Sequence, residues 1–108
     1  MTEQYSGTYD LVVDDVPTPT EATLLVDYSH KICTVTAANG FPSISGTVVE
    51  AGDSKLVLIL NGSEPLEVLI SGTGNGKQVT IPAHQEVVSS STETSVYDIG
   101  EATLTFAG

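Results

Sequence analysis

Glycine, asparagine, aspartate and proline interrupt this chain every few residues, and no stretch of about 11 residues or more carries an apolar stripe at helical spacing. Between the interruptions stand short runs rich in Val, Ile, Leu and Thr, residues that fit a pleated, half-buried surface. The pattern excludes helical bundles and alternating βαβ folds and predicts an all-β chain.

Tyr5–Asp14 reads as the first strand, following a tail of residues 1–4. Pro17 and Pro19 predict a stiff connection, because proline cannot donate to a ladder. Glu21–Tyr28 follows, with Leu24, Val26 and Tyr28 on one face. Residues 28–31 read as a tight turn into Ile32–Ala37, where Cys33, Val35 and Ala37 share a face. Ser43–Glu50 and Lys55–Asn61 form a hairpin around residues 51–54. Lys55–Leu60 lacks alternation, which predicts a strand covered on both faces. Leu66–Thr73 and Lys77–Pro82 flank a further hairpin signal at Asn75-Gly76. His84–Ser89, Val96–Ile99 and Glu101–Phe106 complete the set, with a polar tip from Ser89 to Ser95.

One strand per about 12 residues predicts an antiparallel meander of eight or nine strands. The meander closes as a small β-barrel or, alternatively, stacks as a β-sandwich, in a single domain over residues 5–108. Ser-Gly-Thr at 6–8, 45–47 and 71–73 places glycines inside strand patterns, which suits bulges or sharp bends.

Fourteen acidic side chains against three lysines give a formal charge of −11. Nucleic-acid binding is excluded, because phosphate contacts need clustered Lys and Arg. The longest apolar run, Leu56–Leu60, is far short of the ~18 residues of a membrane helix, so no membrane span is predicted. One cysteine, Cys33, permits neither an internal disulfide nor a Cys-rich zinc site. Met1–Tyr5 has neither the basic start nor the apolar centre of a secretory signal. Taken literally this means a cytosolic protein or a virion component. Abundant Ser and Thr with scarce Cys instead suit a bacterial surface protein, so if a signal was removed upstream the expected location is the periplasm, the cell surface or the medium. Asn61-Gly62-Ser63 matches a glycosylation sequon but is read as a turn.

Ser6-Gly7-Thr8-Tyr9, Asn39-Gly40-Phe41, Ile70-Ser71-Gly72-Thr73 and Gly76-Lys77-Gln78-Val79-Thr80-Ile81-Pro82 carry a family resemblance. Over Tyr5 to Phe106 the chain resembles the calycin-like (lipocalin-like) small β-barrel domains of secreted Bacteroidetes lipoproteins. The resemblance implies a barrel in the cell envelope and supplies no catalytic residues. It also departs from that pattern, since the lone cysteine lies within a strand and not at a lipidated N-terminus.

Catalysis needs a nucleophile, a base and a group that orients the base. His30 and His84 are the only imidazoles and Cys33 the only thiol. Cys33 and His30 are three residues apart, an odd separation that places them on opposite faces of an extended strand. Cys33 is therefore read as a small hydrophobe, and both histidines as exposed loop residues. No phosphate loop, metalloprotease helix or serine elbow is present, so no catalytic residue, cofactor or metal is expected. Asp14, Asp15 and Glu21 are the one place where several oxygens could meet a hard cation, though acids at a strand end are read first as solvated. Glu50 and Asp53, Glu64 and Glu67, and Asp98 and Glu101 lie at predicted turns, as an acidic surface requires. Tyr5, Tyr9, Tyr28 and Phe106 are read as core or barrel-end plugs. Phe41, between Gly40 and Pro42 in a loop, is the ligand-binding candidate.

The resulting expectation is a monomeric, non-enzymatic barrel domain of the bacterial envelope or a secreted protein. It acts in binding or scaffolding toward a small molecule or a surface protein. The alternative is a structural subunit of a virion or extracellular filament.

Overall fold

The computed structural model describes residues 2–13, 15–38, 43–60, 64–89, 92 and 94–108. Among the described residues ten strands follow one another: β1 (Thr2–Val13), β2 (Val16–Asp27), β3 (Ile32–Ala37), β4 (Ile44–Ala51), β5 (Lys55–Leu60), β6 (Leu66–Ser71), β7 (Gln78–Ile81), β8 (His84–Ser89), β9 (Thr94–Ile99) and β10 (Ala102–Phe106). A short 3₁₀ turn, Gly74–Gly76, links β6 to β7 where the hairpin signal stood.

From β1 to β7 each strand pairs antiparallel with the next in sequence, and β10 pairs with both β7 and β1. The ring so formed is a closed barrel of eight strands, the expected barrel and not the sandwich. Between β7 and β10 the chain makes an excursion: β8 and β9 pair with each other and join the ring through Leu11↔Ile99 and Val12↔Asp98. β1 is long enough to serve both partners, giving residues 5–8 to β10 and residues 11–12 to β9.

Two expectations about the first hairpin are corrected. Residues 2–4 are not a tail: they pair with Leu25–Asp27, and the amide of Gln4 donates to Gly108 O at 2.8 Å. Pro17 and Pro19 are not a connection either, because β2 runs through both, opposite Val12 and Asp10. The reason is edge position. The amide of Ala38 donates to Glu21 O, so odd-numbered residues of β2 turn their backbone groups toward β3. β3 pairs only as far as Ala22, so among the described residues no strand faces the missing amides of Pro17 and Pro19 and no ladder bond is lost.

An eight-stranded barrel is just wide enough for side chains to fill it. Leu24, Val26, Cys33, Leu56, Leu58, Leu60, Val68, Val79 and Leu104 are all essentially solvent-free inside it. β5 is buried on one face alone, against the expectation of two. Leu56, Leu58 and Leu60 point inward, while Ile59 is 37% exposed, because barrel closure leaves the outer face without a covering layer. Gly46 is required by close approach and not by a bulge: a Cβ there would stand 2.2 Å from the Ile59 carbonyl oxygen. The register shift in β4 falls instead between Val48 and Glu50.

Candidate functional site

The two ends of the barrel are closed by different chemistry. At one end Glu3, projecting from β1, accepts hydrogen bonds from Tyr28 Oη (2.6 Å), Tyr5 Oη (3.2 Å) and Lys77 Nζ (3.2 Å to Oε2). Lys77 also lies 5.8 Å from the centre of the Tyr5 ring, and Phe106 meets that ring edge-on at 5.8 Å. Burial alone would raise the Glu3 pKa, but the bonds from Tyr28 and Lys77, the lysine charge and the Tyr5 bond together hold it below the usual carboxylate value. Tyr5, Tyr28 and Phe106 stand where the plugs were expected, and Glu3 supplies the acceptor that the two tyrosine hydroxyls need.

At the opposite end β8 brings His84 and Glu86 together. Two residues apart on a strand, they share a face, and here that face turns into the molecule. His84 Nε2 lies 2.7 Å from Glu86 Oε1, and His84 Nδ1 lies 2.7 Å from the Pro82 carbonyl oxygen. The two side chains are 6% and 3% exposed. Both ring nitrogens thus face acceptors, so the pair is satisfied only when it holds a proton on each nitrogen or on the carboxyl. Burial opposes an imidazolium, but the Glu86 bond, the Pro82 carbonyl and the Glu86 charge outweigh it and raise the His84 pKa. Glu86 Oε2 is fully buried and has no hydrogen-bond partner among the described residues. It borders an internal cavity of about 20 Å³, whose other walls include Tyr9, Leu60, Ile81 and Leu104. The Tyr9 hydroxyl has its pKa raised by burial and by the Glu86 charge.

His84 is the clearest correction to the sequence reading, which placed it in an exposed loop. It begins β8, and the alternation of that strand carries it inward. Glu86 was not distinguished from the surface acids at all. The available signal was the His-x-Glu spacing within a predicted strand, which puts an acid and a base on one face. The sequence could not say which face would be inside, since Gln85 and Val87 opposite are equally ambiguous.

The remaining candidates are dispersed. Cys33 is buried, and desolvation pushes its thiol up to about 11, as suits a small hydrophobe. His30 stays in an exposed turn, its Nδ1 2.8 Å from Asp27 Oδ2. Asp15 stands at the β1–β2 tip, and Glu21 lies six residues further along β2, about 20 Å at ~3.3 Å per residue. These two acids therefore do not converge on a cation; Asp14 and Phe41 lie outside the described residues. No cluster of three or more His, Cys, Asp or Glu side chains that could hold a metal occurs among the described residues. On the outside, an open groove of about 610 Å³ crosses β1–β3, lined by small polar groups such as Ser6, Thr8, Thr23 and Thr36, with Glu21 at its rim.

No protein-family model matches the chain, and neither do any curated protein or solved structure.

Proposed function

We propose that the chain is a non-enzymatic β-barrel domain of the bacterial cell envelope, or a secreted one, that binds through its outer surface. The observation carrying this reading is the filled interior. Leucines from β2, β5 and β10 meet in the middle of the barrel, and the cavity beside Glu86, about 20 Å³, has room for one water and not for a carried ligand. Recognition then falls to the exterior, where the groove over β1–β3 offers hydroxyls and backbone to a polar partner. The net charge of −11 disfavours anionic partners. The envelope location and calycin-like kinship rest on the Ser-Gly-Thr-Tyr start and the later strand motifs. Cell fractionation with an antibody against the domain tests the location: recovery with the envelope or medium supports it, and recovery in the cytosol contradicts it.

A structural subunit of a virion or filament is the second reading. It is favoured by the arm formed by β8, β9 and the outer halves of β1 and β2, in which β8 has no neighbour on its far side among the described residues. Sedimentation of the purified 11.2 kDa chain separates the two, a monomer supporting the binding domain and large assemblies the subunit.

A further inference from the structure

We propose that the His84–Glu86 pair is a pH-sensitive latch that holds the β8–β9 hairpin as a lid over one mouth of the barrel. The hairpin is an insertion whose backbone pairing with the ring is short, although Ile99 and Tyr97 of β9 pack against Tyr9, Ala22 and Ala102. Among the described residues it pairs with β1 at only Leu11↔Ile99 and Val12↔Asp98, beside a hydrogen bond from the Gly100 amide to Asp10 O. β1 and β2, by contrast, pair along their whole shared length. Residues 82–83 and 100–101 belong to no strand and flank the hairpin on both sides, as two hinge strands would.

The inner face of the lid carries His84 and Glu86 from β8, with Tyr97 and Ile99 opposite them on β9. That face closes over barrel side chains from β2, β3, β5, β7 and β10, all of them apolar where they line the cavity. Tyr9 of β1 is the only other titratable group lining it among the described residues. Both bonds of His84 act at the hinge. One spans from the first residue of the lid back to Pro82, and the other ties that residue to the next inward-facing side chain.

The closed lid therefore depends on the charge state of one ring. With both nitrogens protonated, the imidazolium donates to Pro82 and to Glu86 and neutralises the buried carboxylate. After one proton leaves, a ring lone pair faces an acceptor at 2.7 Å, and the Glu86 carboxylate remains buried without a counter-charge. Its second oxygen has no donor among the described residues, so none of them besides His84 holds the charge. The cavity admits about one water, which cannot replace the hydration shell of a carboxylate, so full hydration of Glu86 requires the lid to open. The sign follows from linkage. The His84 pKa is raised in the closed state, so the latch is at full strength below the ordinary value of 6.5 and weakens as pH rises through the raised one. The lid opens on the alkaline side.

Amide hydrogen exchange on the full chain, with the imidazole of His84 followed by NMR in the same samples, tests this. Between about pH 6 and about pH 10, protection of Gln85, Tyr97 and Asp98, corrected for intrinsic rate, falls about tenfold per unit beyond the His84 midpoint, while Leu58 and Val68 stay constant. Glu86→Gln shifts both the midpoint and the fall to lower pH, and His84→Gln removes the pH dependence of the hairpin. The titration of the unaltered chain decides even if a variant fails to fold. Hairpin protection that stays flat through the His84 midpoint, or that falls in step with the barrel strands, overturns the latch.

Discussion

Nε2 of His84 lies 2.7 Å from Oε1 of Glu86, in a buried pair, while the other acids among the described residues, apart from Glu3, are exposed or half-exposed. The two groups cancel each other's charge where little water reaches, so neither is replaceable alone. Removing one partner of such a pair leaves an uncompensated buried charge, while removing both leaves an apolar site.

A double-mutant cycle follows from that asymmetry. Glu86→Leu and His84→Leu each destabilise the protein by about 3 kcal/mol, and the double variant by clearly less than their sum. Urea unfolding of the four proteins at neutral pH measures the coupling, and simple additivity would mean that the pair is not a unit.

Glu3 predicts an acid-side effect of opposite sign to that of His84. Its pKa is lowered in the fold, so its contribution is present above the ordinary 4.5 and is lost as pH falls through the lowered value. Glu3→Gln costs about 2 kcal/mol at neutral pH, through weakened bonds from Tyr28 and Lys77. The difference vanishes well below 4.5, where the wild-type carboxyl is itself protonated. Thermal unfolding at both pH values checks it.

Much of this architecture was legible from alternation and turn residues. Val26 and Cys33 face each other inside the barrel, as the strand patterns require, and the 51–54 turn joins the strands it was expected to join. What periodicity could not show was pairing between distant segments. Pro17 and Pro19 read as a break because sequence does not reveal which strand edge is open. The β8–β9 excursion was visible as two strands but not as a lid, since its partner is the outer half of β1, more than 70 residues earlier. The site was the least legible part. His84 resembled any histidine after a proline, and its burial depends on the tertiary face chosen by β8.

The open edge of β2 leads to a third expectation. Replacing both Pro17 and Pro19 with Thr restores two amide donors along Val16–Thr20. The barrel keeps its stability to within about 0.5 kcal/mol, because the site is exposed, but the protein self-associates with rising concentration. Sedimentation velocity across a concentration series detects this, and a sedimentation coefficient unchanged from that of the unaltered chain would show that the edge is blocked by something other than proline.

Gly46 faces the backbone of β5 at a distance that admits no side chain. Gly46→Ala places a Cβ against the Ile59 carbonyl and the Leu60 Cα, forcing β4 and β5 apart at a cost of about 3 kcal/mol. Denaturant midpoints read the loss directly. Gly76, where a Cβ would meet nothing within 4 Å, is the matched control and tolerates alanine.

The central claim is that the barrel is filled and that recognition happens outside it. Titrating the purified protein with a fluorescent long-chain fatty acid, the kind of ligand an open barrel of this size encloses, tests it most directly. The account predicts no saturable one-to-one uptake, because the leucines of β5 and their neighbours occupy the space. Stoichiometric, saturable binding that a bulkier interior residue such as Val68→Phe abolishes would contradict it.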